Sequence, residues 1–206
     1  MSKFLRVLLA SAVLALCNGA GAAVINGSIF TIDGDGDGKL NDVKVARVAF
    51  TVSAGTHLFL DSLVYEYFSD ANGDGRVTGF DNDMMLFRGA TLLESNDDSV
   101  DTFGDGSQHP YDSAFDWTFD RAGTYLVTLG MRRYSVEDAL RGYQAGRVYR
   151  DSIRNENFGA WRLTLTALSG SMNNVREVGT EVPEPGTLAL FGAGLLGAGW
   201  LRRRRR

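Results

Sequence analysis

The chain has 206 residues, with 21 lysines and arginines, 25 aspartates and glutamates, and a net charge of -4. Seven of these basic residues and one acidic residue lie in residues 1–23 and 183–206, so the part between them, residues 24–182, carries a net charge of -10. Such an acidic surface excludes nucleic acid as a partner and favours cations. The only cysteine is Cys17, which excludes an internal disulfide.

The first 23 residues have the pattern of a secretory signal peptide. Lys3 and Arg6 precede an apolar stretch over residues 7–16, and the small-residue segment 19–23 follows it. Ala20-Gly21-Ala22 offers a cleavage site of the A-x-A type. The remainder, up to the C-terminal segment, is about 160 residues long, which predicts one domain with one core, over residues 24–178.

Alternating apolar and polar residues dominate this domain and predict half-buried strands. The clearest strand candidates are residues 47–52, 115–119 and 161–165, with further candidates at 29–32, 58–60, 63–68, 84–87 and 125–129. One short helix is predicted over residues 135–144, with Ser135 and Asp138 as its cap. The pattern favours an all-β fold, an antiparallel β-sandwich of the jelly-roll kind with a helix in each terminal segment.

The first acidic loop follows the strand at residues 29–32 and has the spacing of a calcium loop. Carboxylates stand at its positions 1, 3 and 5, a glycine at position 6 allows a sharp turn, and a backbone carbonyl and a side-chain oxygen follow. Position 12 holds Lys44 instead of an acid, which leaves Asp42 as the nearest replacement. The candidate ligands are Asp33, Asp35, Asp37, Lys39, Asn41 and Asp42.

The second acidic loop matches the calcium pattern more fully, with an acid at position 12. Its candidate ligands are Asp70, Asn72, Asp74, Arg76 through its carbonyl, Thr78 and Asp81. Since strands and not helices are predicted before both loops, they resemble the DxDxDG loops of extracellular bacterial modules, and the second resembles the dockerin calcium loop. The alternative is that Asp-Gly and Asn-Gly are turn formers without metal. Crowding three carboxylates favours Ca²⁺ as the cofactor.

A third acidic stretch, Asn96-Asp97-Asp98-Ser99 with Asp101 and Asp105, lacks a fixed ligand spacing and is predicted to be a solvated loop. The order of short motifs around it resembles the bacterial pre-peptidase C-terminal domain over residues 42–168. These motifs are Gly79-Phe80-Asp81-Asn82-Asp83, Asn96-Asp97-Asp98, Asp112-Ser113, Ala122-Gly123-Thr124-Tyr125 and the strand at 161–165. The resemblance implies a jelly-roll-like, often calcium-dependent β-sandwich that accompanies secreted proteases or binds extracellular polymers, with Asp81 and Asp83 at its acidic pair.

Catalysis has few candidate residues in this sequence. The only histidines are His57 and His109, and neither a G-x-S-x-G motif nor zinc-ligand spacing occurs. We therefore expect no enzyme, although paired acids of the glycosidase kind remain the alternative. A carbohydrate-binding module is the second alternative, with Trp117, Tyr134, Tyr143 and Tyr149 as stacking residues. An arginine-rich segment at 131–158 would then contact an acidic exopolysaccharide.

The C-terminal segment, residues 179–206, combines three features. Pro183-Glu184-Pro185 precedes an apolar run of 15 residues, 187–201, and five arginines end the chain. The run can span a bilayer marginally if the arginines snorkel, and they would hold the C-terminus in the cytoplasm. The segment resembles the PEP-CTERM sorting signal of exosortase substrates. The resemblance implies transient inner-membrane tethering, processing near Pro183-Glu184-Pro185, and release or attachment at the cell surface.

Together these patterns predict a non-enzymatic, calcium-stabilised protein of the cell surface or extracellular matrix. Its partners would be exosortase, transiently the inner membrane, and in the alternative an exopolysaccharide.

Overall fold

The computed structural model describes residues 21–100, 106–107, 109–155 and 157–179. Both predicted terminal helices lie outside these residues. Eleven strands and one helix form in the described part of the chain. They are β1 Ala22–Ile32, β2 Asp42–Lys44, β3 Ala46–Val52, β4 His57–Leu63, β5 Asn82–Arg88, β6 Thr91–Asn96, β7 Ala114–Thr118, β8 Gly123–Met131, α1 Val136–Arg141, β9 Tyr143–Gln144, β10 Phe158–Ser169 and β11 Met172–Glu177.

The strands form two antiparallel sheets that pack face to face as a sandwich. One sheet has the order β7-β4-β10-β1-β2-β9 and the other the order β11-β3-β8-β5-β6. β1 begins at Ala22, which pairs with Thr166 of β10, so cleavage after Ala23 would remove only its first two residues. The predicted all-β, antiparallel sandwich class is confirmed.

The main core lies between the two sheets and comes from the alternating apolar positions. Val48, Phe50 and Val52 of β3 face Leu58 and Leu60 of β4 across this interior. Phe50, Phe119 and Tyr125 form an aromatic group in which Phe119 and Tyr125 lie 4.5 Å apart, centroid to centroid. Edge-to-face packing of this kind adds to the stabilisation from burial alone.

A smaller core covers the outer face of the five-stranded sheet. In β5, Met84 and Leu86 belong to the main core, whereas Met85 and Phe87 pack against Tyr134 and the helix α1. Burial on both faces explains why the sequence of β5 shows a continuous apolar run instead of an alternation. The helix therefore acts as a cover for one patch of the sheet.

The predicted helix and its cap are confirmed, with the helix shorter than expected. The Ser135 hydroxyl accepts from the Asp138 amide, and the Asp138 carboxylate accepts from the Ser135 amide at 2.8 Å. Gly142 ends the helix at φ 92°, a conformation that favours glycine, and its N–H donates to the Asp138 carbonyl. The helix stops here, before the predicted end at residue 144.

The predicted strand over residues 63–68 is wrong beyond Leu63. The Val64 and Tyr65 amides donate to the Asp112 carboxylate at 2.8 and 2.9 Å, and not to a neighbouring strand. The chain therefore turns away from the sheet before the second acidic loop. The sequence pattern does not predict β6 and β11, because every residue of these two edge strands is exposed or half-buried and neither has a buried face with clear alternation.

Candidate cation sites

The first acidic loop brings three of its predicted ligands together. Carboxylate oxygens of Asp33, Asp35 and Asp37 lie within 4.8 Å of one another, and all three residues are exposed. The loop backbone folds around them, since the Gly38 amide donates to Asp33 at 3.0 Å and the Asp37 amide to Asp35 at 3.0 Å. We call these three residues the first acidic group.

The other predicted ligands of this loop have different surroundings. The Lys39 ammonium pairs with Asp37 at 2.6 Å, so part of the charge in the first acidic group is already balanced. Asp42 is buried and lies outside the group, where its carboxylate accepts from the amides of Gly34, Asp35 and Gly146. Burial raises the pKa of Asp42, but these hydrogen bonds outweigh burial and leave the pKa below its ordinary value. Asp42 holds the base of the loop.

The second acidic loop contains a group with one member outside the predicted set of ligands. Carboxylate oxygens of Glu66, Asp70 and Asp74 lie within 4.8 Å of one another. Asp70 accepts from the amides of Gly73, Asp74 and Gly75 at 2.7 to 3.0 Å, which wraps the loop around one carboxylate. We call Glu66, Asp70 and Asp74 the second acidic group.

Glu66 anchors this group from beneath. It is 1% exposed, and its carboxylate accepts from the amides of Ala71 and Asn72 at 2.8 Å and of Thr78 at 3.1 Å. Burial raises the pKa of Glu66, and the three amides oppose that rise without cancelling it. Glu66 lies before the loop pattern begins, within the predicted strand over residues 63–68. An acid inside an apolar stretch just before a calcium-type loop was the signal that could have identified it.

The other four predicted ligands of the second loop have contacts of their own. The Asn72 side chain accepts from the Asp74 amide at 3.0 Å. The Arg76 guanidinium lies over the Phe158 ring at 4.7 Å. The Thr78 hydroxyl accepts from the Ala160 amide, at the start of β10. Asp81 belongs to a different group of acids.

The third acidic group consists of Asp81, Asp97 and Asp98, whose carboxylate oxygens lie within 4.8 Å of one another. The predicted solvated loop agrees with the structure, because Asp97 and Asp98 lie in the irregular segment after β6 and 47% of the Asp97 side chain is exposed. Arg132, the residue after β8, pairs with Asp81 at 3.0 Å and with Asp97 at 3.5 Å. Burial, and then contact with Asp97, raise the pKa of the neighbouring Asp83 to about 7.

The four aromatic residues predicted to stack on sugars differ in exposure. Tyr134 and Tyr149 are buried, at 3% and 5% exposure, so neither can serve as a sugar platform. Tyr143 is half-buried beneath Arg141, whose guanidinium lies 4.6 Å from the ring centroid. Trp117 is half-buried at the edge of the main core. Alternation alone could not separate these cases, because the segment at 131–158 packs onto the sandwich.

The two histidines have structural contacts. His57, at the start of β4, contacts the Asp116 carboxylate of β7, which faces solvent. The His109 ring packs against Tyr65 and Tyr111, with centroids 4.7 and 4.0 Å away. One histidine thus makes a surface contact and the other packs in an aromatic group.

Comparison with known families identifies the C-terminal segment. Residues 181–206 match the family described as the PEP-CTERM protein-sorting motif. The match leaves the body uncovered, and the resemblance to the pre-peptidase C-terminal domain stays a prediction. A search of curated proteins found no match. None of the helices within residues 21–179 that the structure describes is long and apolar enough to cross a bilayer. The chain thus carries the sorting signal of an exported exosortase substrate at its C-terminus.

Proposed function

We propose that the protein is a non-enzymatic, calcium-stabilised component of the cell surface or extracellular matrix. Exosortase would process it near Pro183-Glu184-Pro185 after transient tethering in the inner membrane. The observation that carries the calcium part of this proposal is the second acidic group. Three carboxylates converge there within 4.8 Å, on a loop whose backbone already curves around them.

The charge balance of the second acidic group favours an external cation. No lysine or arginine in the described part of the chain forms an ion pair with Glu66, Asp70 or Asp74. Like charges at this separation repel one another, and a hard cation removes the repulsion. Ca²⁺ accepts carboxylate and carbonyl oxygens in a flexible geometry, which suits a loop of this kind.

The solvent exposure of the second acidic group suits the binding of an extracellular metal ion. Asp70 and Asp74 are exposed, so an ion could enter without opening the fold. Calcium sites of extracellular modules have dissociation constants of about 10⁻⁴ to 10⁻³ M. A partly solvated site can reach this modest affinity. The first acidic group would bind more weakly, because Lys39 competes for Asp37.

The contacts of the titratable side chains support a role without catalysis. Asp42 and Glu66 accept hydrogen bonds from loop amides, and Asp81 pairs with Arg132. His57 and His109 contact a surface carboxylate and two tyrosine rings. These groups hold loops in place, which is the use expected in a structural or adhesive protein.

The test is thermal unfolding of the full chain, purified in detergent, in Ca²⁺, in Mg²⁺ and in chelator. A ligand at a hundred times its dissociation constant stabilises the fold by about 2.7 kcal/mol, so Ca²⁺ should raise Tm clearly. The variants Asp70→Ala and Asp74→Ala should lose this rise. Glu137→Ala, which removes an exposed acid outside the three groups, is the matched control and should keep it. An equal Tm in Ca²⁺ and chelator would overturn the calcium proposal.

A further inference from the structure

A cleft opens at one side of the sandwich, where the edge strands β6 and β7 of the two sheets face each other. Its volume is about 470 Å³. The apolar part of its lining comes from Trp117 of β7, Leu93 of β6 and Tyr125 of β8. Trp117 alternates with the buried Phe115 and Phe119, so its side chain points between the sheets and is left half-buried only because the sheet ends there.

The loop that forms one wall of the cleft is firmly held. Asp120 and Arg121 line the cleft from the turn between β7 and β8. The Tyr125 hydroxyl donates to the Arg121 carbonyl at 2.7 Å. Next to them, Phe119 exchanges backbone hydrogen bonds with the Gly55–Thr56 turn, at 2.7 and 2.8 Å. The wall is thus preformed, which reduces the cost of ordering it around a ligand.

The charged part of the lining is basic on a domain that is otherwise acidic. Arg88, at the end of β5, is exposed, and its guanidinium makes no hydrogen bond or ion pair with any other residue that the structure describes. Arg121 has only a loose contact with Asp120, at 3.6 Å between exposed side chains. A free guanidinium beside an indole, on a segment with a net charge of -10, favours an anionic ligand at this place.

We infer that this cleft binds an acidic saccharide, a pyranose unit that carries a carboxylate. The apolar face of the ring would lie on the indole of Trp117, and the Arg88 and Arg121 guanidiniums would bind the carboxylate. Asp120 and the hydroxyls of Thr91 and Thr118, which also line the cleft, would contact the sugar hydroxyls. This inference goes beyond the proposed structural role and does not depend on calcium.

The composition of the lining separates a saccharide from other anions. Asp120 would repel a nucleotide, because a polyphosphate carries several charges and offers no hydroxyl donors near them. An acidic peptide would satisfy the arginines, but it has no flat ring face for the indole unless it carries an aromatic residue. A carboxylated sugar combines one negative charge, several hydroxyl donors and an apolar ring face. All three have a counterpart in this cleft.

The test uses the full chain in detergent and trigalacturonate as the probe, with binding measured by calorimetry. Methyl-esterified trigalacturonate keeps the sugar rings and removes the charge, whereas short polyglutamate keeps the charge and removes the rings. We expect binding of trigalacturonate, and at least about tenfold weaker binding of both control ligands. Titrations in chelator and in Ca²⁺ should agree within about twofold, which distinguishes this site from the acidic groups.

Variants locate the site. Arg88→Glu reverses an exposed charge without disturbing the core, and Trp117→Leu keeps an apolar side chain while removing the aromatic face. Each variant should weaken trigalacturonate binding at least about tenfold. Arg88→Glu should do so with Tm nearly unchanged. Arg150→Ala, an exposed arginine elsewhere, and Phe68→Ala, an aromatic residue 81% exposed, are the matched controls. The inference is overturned if polyglutamate binds equally well, if only the control variants lose binding, or if trigalacturonate does not bind.

Discussion

The second and third acidic groups each bring three carboxylates within 4.8 Å of one another, yet their charges are balanced differently. In the third group, Arg132 reaches Asp81 and Asp97 from the end of β8. In the second group, Glu66, Asp70 and Asp74 have no such cation among the residues that the structure describes. Clustering of acids therefore does not by itself indicate a metal, and the missing internal cation is the more informative observation.

The two groups also differ in how they are assembled. The second group lies within nine residues of sequence, and Glu66 binds three amides of its own loop. The third joins the start of β5 to the end of β6 and the end of β8. A local loop can rearrange around an ion, whereas the third group and its arginine are held by the ends of three strands. This contrast can be tested by removing one residue at a time.

The largest effect is expected for Glu66→Ala. The substitution leaves three loop amides without their acceptor, at about 1 kcal/mol each, so the free energy of unfolding should fall by about 3 kcal/mol. Chemical denaturation of the full chain in Ca²⁺ and in chelator measures it. Glu66→Gln is the control, because it keeps an acceptor oxygen and removes the charge. In Glu66→Gln, the stabilisation by Ca²⁺ should fall clearly, whereas the free energy of unfolding in chelator should change little. Unchanged stability in Glu66→Ala would show that the carboxylate does not hold the loop.

An intermediate loss of stability is expected for Asp138→Ala. The Asp138 carboxylate already accepts hydrogen bonds from Ser135 and Arg141 and needs no external cation. Burial raises the pKa of Asp138, but hydrogen bonds from Ser135 and Arg141 outweigh burial and leave the pKa below its ordinary value of 3.8. Its contribution is therefore fully present above pH 3.8 and is lost as the pH falls through the lower pKa of the folded protein. Loss of the cap should cost about 1 kcal/mol at neutral pH, independently of Ca²⁺.

Denaturation curves between pH 7 and pH 2 measure this contribution. The difference between wild type and Asp138→Ala should shrink below pH 3.8. Glu137→Ala, in the exposed neighbouring acid, should follow the wild-type curve at every pH. A constant difference across the whole range would mean that the charge of Asp138 contributes nothing.

The smallest change in stability, but the most direct test of the contrast, is expected for Arg132→Ala. Since Arg132 is partly exposed, its loss should lower Tm only modestly. It should also leave the third group as unbalanced as the second, so that Ca²⁺ stabilises the variant by more than it stabilises the wild type. Arg132→Lys keeps a charge there and should show the wild-type response. An identical calcium response in Arg132→Ala and wild type would show that the arginine does not substitute for an ion.

Local signals in the sequence predicted much of the fold. The cap at Ser135 and the strands at 47–52, 115–119 and 161–165 depend on neighbours close in sequence or on simple alternation. The end of β4 depends instead on Asp112, which is 48 residues from Val64 in sequence. No pattern around Val64 indicates that contact.

The same distinction applies to the acidic groups. Asp33, Asp35 and Asp37 were predicted together because their spacing alone brings them together. Asp81 has the spacing of a twelfth loop ligand, but β5 begins next to it and directs it towards Asp97. Spacing identifies ligands within one loop, and tertiary packing decides which residues join from outside.

The order of strands sets the distance between the cleft and the point where the C-terminal segment leaves the domain. β11 ends at Glu177, and five residues, 178–182, separate it from Pro183, a length that can extend to about 18 Å at most. β11 is one edge of its sheet and β6 is the other, four strand spacings or about 19 Å away. If the C-terminus is held at the membrane as proposed, the end of β11 stays close to the bilayer, whereas the β6 edge and its cleft lie about one sheet width from that point of attachment.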